Sequence, residues 1–177
     1  MRVYVPATLA MLQRLVADGQ IFAVSGTAFA VTPALRESYA EGDDEELAEV
    51  ALREAALGSL RLLAAEHDAD DAGDAVPVLP PRRAVLVADV NTDDAPVTLR
   101  PDLDDAVVRL AGPITVDDLV AVYVDIAAAE TDVRAALAVI DEADLGDEDA
   151  ELAVGDAQDH DLAWYATQEL PFLLDLL

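Results

Sequence analysis

The sequence predicts an α+β domain in which a small, mostly antiparallel sheet packs against helices, followed by a helical extension. Short runs of β-branched and aromatic residues alternate along the chain with segments of helical period. Hydrophobic residues make up 54% of the 177 residues, enough to bury a core in a chain of this length. We therefore expect an α+β domain over residues 1–146 and an acidic helical C-terminal extension over residues 147–177, packed on that domain.

The N-terminal segment opens with a predicted strand, because residues 2–6 (RVYVP) are largely β-branched or aromatic. Thr8 can cap the helix that follows, whose apolar residues fall on one face, and Gly19 ends it. Residues 21–31 carry apolar side chains on both sides of a Ser-Gly-Thr turn. This pattern suits a small hairpin or an extended pair.

Two helices come next, and each has a recognisable start. Thr32 followed by Pro33 is a typical helix N-terminus. Asp43 with Glu46 three residues later forms a capping box that opens a helix reaching about Glu66. Leucine, valine and alanine cover nearly the whole circumference of this second helix, so we expect it to lie centrally and to pack on several neighbours.

The middle of the chain combines acidic loops with apolar strands. Residues 67–81, rich in Asp, Gly and Pro, predict a surface loop, and residues 91–105 predict a second, acidic loop. The fully apolar segment 84–90 predicts a strand near the centre of the sheet. Segments 106–110 and 119–125 predict two further strands.

The C-terminal part of the chain is predicted to be helical. Residues 128–143 have the period of an amphipathic helix. A short helix capped at Asp147 is expected to break at Gly155, and Thr167 can cap a last, leucine-rich helix. These last two helices form the predicted extension.

A tripeptide occurs twice in equivalent settings. The sequence VYV at residues 3–5 and again at residues 122–124 leads each time into a predicted helix within a few residues. Two such strand–helix units with further strands between them suggest a split β-α-β arrangement of the ferredoxin-like kind. Because the repeat is only three residues long, we attribute it to strand preference and not to duplication of the chain.

The net charge limits the classes of partner. The chain carries 37 acidic and 10 basic residues for a formal net charge of -27, and every basic residue is arginine. Binding to phosphate backbones or anionic membranes needs clustered positive charge, so we expect neither nucleic-acid nor membrane binding. The absence of cysteine, of a signal-like N-terminus and of long apolar runs leads us to expect a cytoplasmic protein.

No motif of catalytic, cofactor-binding or metal-binding type stands out. An EF-hand loop starting at Asp68 would need oxygen ligands where Ala72 and Leu79 stand. The serines lack a Gly-x-Ser-x-Gly context, and the chain has no P-loop or dinucleotide glycine pattern. We therefore predict no catalytic residue, no metal and no cofactor.

The most distinctive segment lies near the C-terminus, where acidic residues lead into an aromatic pair. A histidine among carboxylates suits a metal ligand or a general base, or else a surface histidine packed against the neighbouring tryptophan. The leucine-rich end suits either docking on the chain's own core or binding to a partner. The candidate partner-binding residues are Asp156, Asp159, His160, Asp161, Trp164, Tyr165 and Glu169.

These features favour a protein-binding or regulatory role over an enzyme. Acidic surfaces would steer the chain to a partner protein with a basic surface, and mimicry of nucleic acid is one form of this. The alternative is a small-molecule-binding protein or enzyme that uses carboxylates together with arginines at the strand ends. Those arginines are Arg82, Arg83, Arg100 and Arg109.

Three segments of the chain resemble an uncharacterised actinobacterial family of small acidic proteins. They are residues 2–9 (RVYVPATL), 102–110 (DLDDAVVRL) and the end segment 159–170, with DHDLAWY and then QEL. The family has no assigned activity, so the resemblance carries over no catalytic residue. It implies an actinobacterial, cytoplasmic origin, in which genome composition and not adaptation to salt accounts for the acidic, lysine-free sequence.

Overall fold

A computed structural model describes residues 1–70 and 79–177, and in them the chain forms an open antiparallel sheet packed with helices. The predicted α+β class is confirmed. None of the helices in this part of the chain combines the length and the apolar character needed to cross a membrane. The α-helices are α1 (Leu9–Asp18), α2 (Pro33–Ser38), α3 (Asp44–Asp70), α4 (Glu130–Leu137), α5 (Ile140–Asp144), α6 (Glu148–Gln158) and α7 (Leu170–Asp175).

The strands form one large sheet and one small one. The large sheet has seven strands in the order β5-β6-β3-β1-β4-β8-β9, so it is larger than the small sheet expected from the sequence. Every neighbouring pair of strands is antiparallel. The small sheet pairs β2 with β7. The strands are β1 (Arg2–Ala7), β2 (Gln20–Ile21), β3 (Thr27–Phe29), β4 (Ala84–Asp89), β5 (Val97–Leu99), β6 (Val107–Leu110), β7 (Ile114–Thr115), β8 (Leu119–Val124) and β9 (Ala163–Tyr165).

The sheet contains one split β-α-β unit in its centre. Strands β3 and β4 are both antiparallel to β1, so they run parallel to each other on either side of it. Helices α2 and α3 make the connection between them. The VYV sequences lie in β1 and β8, and each strand leads into helical structure as predicted. These two strands are not neighbours in the sheet, because β4 lies between them. The helical crossover of the unit thus joins β3 with β4.

The two faces of the sheet pack against different helices. On one face, the side chains of Val3, Val5 and Leu86 join a core with α1 and α7. On the other face, Val85 and Val87 join a second core with the N-terminal half of α3. The alternation of side chains along each strand assigns neighbouring residues to the two cores. As predicted, β4 is a central strand that is buried on both faces.

Helix α3 is the central helix that the sequence predicts. Its N-terminal half covers β1, β3 and β4, and its C-terminal half packs through Leu60 and Leu63 against α4, α5 and α6. It approaches β1 closely at Gly58, where an added Cβ would lie 2.8 Å from Cγ of Pro6. The buried Ser59 hydroxyl donates to the carbonyl oxygen of Ala7 at 2.7 Å. Packing on both halves explains why this helix is apolar nearly all round.

The predicted helix starts are confirmed by their capping bonds. The amide of Met11 donates to the hydroxyl of Thr8, and Gly19 ends α1 with a left-handed φ of 79°. The amide of Leu35 donates to the Thr32 hydroxyl at 3.1 Å. The carboxylate of Asp43 accepts the amide of Glu46 at 2.9 Å. These starts are local, so the sequence alone suffices to locate them.

Three predictions about connecting segments are wrong. Strands β2 and β3 do not pair, because Ser25 and Gly26 adopt positive φ in succession and turn the chain, so that β2 pairs with β7. The expected loop over 91–105 contains β5, an edge strand too short to show a pattern. The expected helix 128–143 is split at Val139, which has φ −130° and ψ 9°. No glycine or proline marks that break, and residues on both sides of it, Val133, Ala136 and Ile140, pack in one cluster with Leu60 and Leu63 of α3.

Predictions for the ends of three helices also need correction. Helix α3 continues to Asp70, so it takes in the first residues of the expected 67–81 loop, and residues 71–78 of that loop lie outside the described residues. Helix α6 continues through Gly155, since a glycine inside a helix costs only about 1 kcal/mol. The hydroxyl of Thr167 donates to the carbonyl of Leu119, so it caps no helix. At the start of the last helical segment, the Glu169 carboxylate instead accepts the backbone amide of Ala166.

Candidate functional site

An ion pair between Arg83 and Asp125 is buried at one end of the sheet. Arg83 precedes β4 and Asp125 follows β8, and the antiparallel pairing of these strands brings the two residues side by side. Their side chains are 1% and 0% exposed. The guanidinium donates to both carboxylate oxygens, at 2.7 and 2.8 Å, and the Arg83 amide donates to the same carboxylate at 2.8 Å. This bidentate geometry with an added backbone bond is what a buried ion pair needs to offset its desolvation.

The same guanidinium also holds the segment between α6 and β9. It donates to Oε1 of Gln158 at 2.8 Å and to the carbonyl oxygen of His160 at 2.9 Å. The side-chain amide of Gln158 in turn donates to the carbonyl oxygen of Arg53 on α3 at 3.1 Å. We refer to Arg83, Asp125, Gln158 and His160 as the junction. It ties the end of α6 to both the sheet and α3.

The ring of His160 has a carboxylate partner on a neighbouring helix. Its Nε2 lies 2.6 Å from Oδ2 of Asp132 on α4, and the His160 side chain is 28% exposed. The His160 backbone is bound to Arg83 and its ring to Asp132, so both parts of the residue hold the segment between α6 and β9 in place. Across residues 1–70 and 79–177, no group of three or more His, Asp or Glu side chains is arranged to hold a metal ion.

A groove of about 660 Å³ lies beside the junction, between the N-terminal half of α3 and the β8–β9 edge of the sheet. Tyr4, Tyr123, Leu162 and Ala56 contribute its aromatic and apolar lining. The hydroxyl of Tyr4 is neutral at pH 7, and burial raises its pKa further above the usual value. The groove therefore has a largely uncharged floor.

The floor stays open because α3 covers only part of its sheet face. The helix packs mainly over β1, β3 and β4, so the β8–β9 side of the same face extends beyond it. Trp164 on β9 lies opposite Tyr123 on β8 in the strand register. Directly opposed residues point to the same face of a sheet, which places Trp164 beside the groove with 56% of its surface exposed.

The rim of the groove is acidic. Glu45, Glu46 and Glu49 line it from the first two turns of α3, and Asp161 lines it from the opposite side. Arg53 on the same side of α3 is already paired with Asp159, at 3.9 Å. A second hollow of about 530 Å³ adjoins the groove and shares Tyr4, Glu45 and Ala48 with it. The arrangement combines negative charge at the entrance with apolar surface below, so it suits a ligand that is both basic and apolar.

The structure divides the seven residues predicted as a partner site. His160 and Asp161 line the groove, Asp159 pairs with Arg53 at its edge, and Trp164 lies beside it. Asp156 is exposed on α6. Two of the seven lie elsewhere: Tyr165 packs against the core on the α1 and α7 face, and Glu169 holds the start of the last helical segment.

Sequence reasoning missed the α3 side of the site. Glu46 was predicted only as part of a capping box, Glu45 and Glu49 only as residues of the helix that it opens, and Tyr4 and Tyr123 only as strand residues. One available signal was that acidic residues are concentrated in the first two turns of α3, at Asp44, Glu45, Glu46 and Glu49. These residues of α3, β1 and β8 lie close to residues 160–162 only because β8 pairs with β9, and no sequence pattern predicts that pairing.

The leucine-rich end of the chain docks on the chain's own core. Leu170 and Leu173 of α7 are buried with residues of α1. Trp164 is not the anchor of this docking, since it lies on the opposite face of the sheet and is exposed. Docking on the chain's own core therefore describes the leucines of α7, whereas Trp164 is exposed on the other face of the sheet.

The four strand-end arginines do not meet in one place. Arg82 pairs with Glu130, Arg100 pairs with Asp102, and Arg109 donates through Nη1 to the carbonyl of Ser25 at 2.6 Å. Arg83 is committed to the junction. Arg109 on β6 and Arg83 at the start of β4 are three strands apart, about 14 Å at the usual strand spacing.

Comparison with known proteins places the chain in one family. The model of DUF6912, a family of unknown function, matches residues 1–174. No curated protein and no solved structure matches the chain. The matched region includes the junction, both sides of the groove and β9, so it takes in all of the geometry described above.

Proposed function

The chain belongs to the DUF6912 family, and on the geometry of its groove we propose that it is a protein-binding module for a basic, partly apolar segment of a partner protein. The observation that carries this proposal is the acidic rim over an aromatic floor. The proposal keeps a partner with a basic surface, as expected from the sequence, and moves its binding site from the C-terminal segment alone to the groove between that segment and α3.

Charge supports a basic partner. Three glutamates and one aspartate line the groove, and its arginines are already paired, Arg53 with Asp159 and Arg83 with Asp125. The net charge of -27 adds a long-range field that speeds the approach of a positive partner and disfavours nucleic acid. We propose a cytoplasmic setting, in which such steering acts at moderate ionic strength.

The floor supports a segment with apolar side chains as well as charge. Tyr4 and Tyr123 offer aromatic surface that packs against aliphatic groups and attracts guanidinium or ammonium groups through cation–π contacts. Trp164 extends the same surface to the edge of the sheet. A small-molecule site based on the strand-end arginines has less support, because these arginines are separated and have partners.

A labelled peptide that alternates arginine and leucine is a direct probe of the groove. We expect it to bind at low salt, and the combined change Glu45→Gln, Glu46→Gln, Glu49→Gln to weaken binding by about tenfold or more. The matched control is the combined change Glu148→Gln, Asp149→Asn, Glu151→Gln, which removes the same charge from exposed positions on α6. Fluorescence anisotropy at two salt concentrations measures both variants.

The comparison of the two variants decides the outcome. Selective loss in the α3 variant supports the groove as the binding site. Equal weakening in both variants would mean that the peptide responds only to net charge, and the proposal would then be rejected. Trp164→Ala tests the apolar part, since it should lower the affinity that remains at high salt.

A further inference from the structure

The groove lies at an edge of the large sheet. Strand β9 is the last strand in the order of that sheet, and it packs mainly on β8. Tyr123 of β8 lines the groove, and Trp164 of β9 lies opposite it on the same face of the sheet. An edge strand presents backbone N–H and C=O groups that no neighbouring strand takes up. Such groups on β9 would lie directly beside the groove.

The register of β8 shows which of its backbone groups bond to β9. The amide of Asp125, at the end of β8, donates to the carbonyl oxygen of Arg83, at the start of β4. Residues along a strand bond alternately to the neighbours on its two sides. The backbone of Tyr123 therefore also bonds to β4, and the backbones of Val122 and Val124 bond to β9.

The same alternation shows which backbone groups of β9 point outward. Ala163 and Tyr165 lie opposite Val124 and Val122, so their backbone groups bond to β8. Trp164 lies between them, and its N–H and C=O point away from β8. Within residues 1–70 and 79–177, no hydrogen bond uses these two groups. We refer to this outer side of β9 as the open edge.

The charge around the open edge favours a basic partner. Residues 156–169 hold four carboxylates and no arginine or lysine, and Asp161 among them is exposed. Glu45 and Glu49 of α3 add negative charge across the groove. Pairing of β9 with β9 of a second copy would bring two acidic segments together, so a second copy is disfavoured. A positively charged segment is instead attracted to the open edge.

We propose that the partner binds as an extended segment that adds to the open edge of β9, with arginine or lysine at alternate positions. This inference rests on the proposed function, because it specifies the conformation of the same basic, partly apolar segment. Side chains opposite Trp164 point to the groove side, where basic groups lie over the indole ring and near Asp161. The intervening side chains point to the other face, where Tyr165 provides apolar surface.

Amide hydrogen exchange of the full chain, measured residue by residue by NMR, tests the strand addition. The probe is the peptide that alternates arginine and leucine. In the free protein, the amide of Trp164 should exchange rapidly, because it points outward. Near saturation with the peptide, we expect its exchange to slow at least about tenfold, because the amide then donates to the added strand.

The opposite edge of the sheet provides an internal control. On β5, the amide of Arg100 and the carbonyl of Pro96 bond to β6, so the amides of Val97 and Leu99 point outward. These two amides lie at the other end of the sheet from the groove. Their exchange should not change when the peptide binds, and equal slowing at both edges would overturn the inference.

Methylation of the peptide backbone tests the hydrogen bonds directly. In an added strand, alternate amides of the peptide face β9 and the others face solvent. N-methylation of one alternate set, either the arginines or the leucines, should therefore weaken binding at least about tenfold. N-methylation of the other set should leave the affinity within about twofold of the unmodified peptide.

The outcomes separate this inference from the proposed function. Suppose that the peptide depends selectively on the α3 glutamates but leaves exchange at Trp164 unchanged, or responds equally to both methylated sets. The strand addition is then overturned, and the groove remains the binding site. A peptide that does not bind overturns both proposals. Slow exchange at Trp164 in the free protein would show that the edge is already covered, and it would overturn the strand addition alone.

Discussion

The junction and the outer surface of α5 and α6 use carboxylates in opposite ways. At the junction, Asp125 is fully buried and accepts three N–H groups from Arg83. On the outer surface, residues 141–161 hold ten carboxylates and no arginine, and most of their side chains face water. The contrast shows that the position of a charge decides its effect on stability, whereas the number of charges decides the long-range field.

The largest expected effect is at the junction. Arg83→Met leaves the Asp125 carboxylate buried without its cation, so we expect a loss of about 3–5 kcal/mol in the free energy of unfolding. Urea denaturation monitored by circular dichroism measures this loss. Arg100→Met, at an exposed pair, is the control and should leave the free energy of unfolding almost unchanged.

A second change separates the buried charge from the loss of packing. The double variant Arg83→Met, Asp125→Leu removes both charges, and it should recover much of the stability that Arg83→Met loses. A double variant that is as unstable as the single one would show that the bonds from Arg83 to Gln158 and His160 carry the effect.

The next effect compares two glycines inside helices. At Gly58 an added Cβ would lie 2.8 Å from Cγ and 3.2 Å from Cβ of Pro6. Gly58→Ala should therefore destabilise the fold by about 1–2 kcal/mol, even after the gain in helix propensity. Thermal unfolding measures the change, and an unchanged or higher melting temperature would mean that α3 and β1 separate at little cost.

Gly155 on α6 should respond in the opposite direction. An added Cβ there has no heavy atom within 4 Å beyond its own helix. Gly155→Ala should stabilise the protein by about 0.5–1 kcal/mol, because alanine loses less backbone entropy on forming a helix. The same thermal unfolding experiment tests it, and destabilisation would indicate that the surface of α6 is constrained in a way that the helix geometry does not show.

The smallest effect belongs to the exposed pair between α3 and α5. The hydrogen bond from Arg61 lowers the pKa of Asp144, so the pair adds stability above the ordinary aspartate range and loses it as the pH falls through the lowered pKa. Since both side chains are about half exposed, Arg61→Gln should cost only about 0.5 kcal/mol at pH 7. Urea titrations from neutral to acidic pH should show the difference disappear, and a constant difference would assign it to packing.

Prediction from sequence succeeded where the signal is local. The caps at Thr8, Thr32 and Asp43 each depend on a side chain that bonds to an amide three residues away. The central position of β4 follows from its own uninterrupted apolar run. Prediction failed for β5, for the break at Val139 and for the path after β2, because each depends on which distant segment becomes the neighbour.

The candidate site was predicted only in part for the same reason. His160, Asp161 and Trp164 stand close together in the chain, so their acidic and aromatic character is visible in the sequence. The groove exists only because β9 adds to β8 and α3 leaves that edge uncovered. Glu45 and Glu49 become part of it through this packing alone.

The sequence by itself determined the α+β class, the helix starts, the apolar strands and the negative charge. These depend on residue type and on spacing within one or two turns, where short-range hydrogen bonds and side-chain periodicity act. Only the tertiary structure decided which carboxylates are buried and which are exposed, which strands pair, and where the groove and the open edge of β9 lie. These depend on contacts between residues far apart in the chain, and such contacts form only when the whole core is packed.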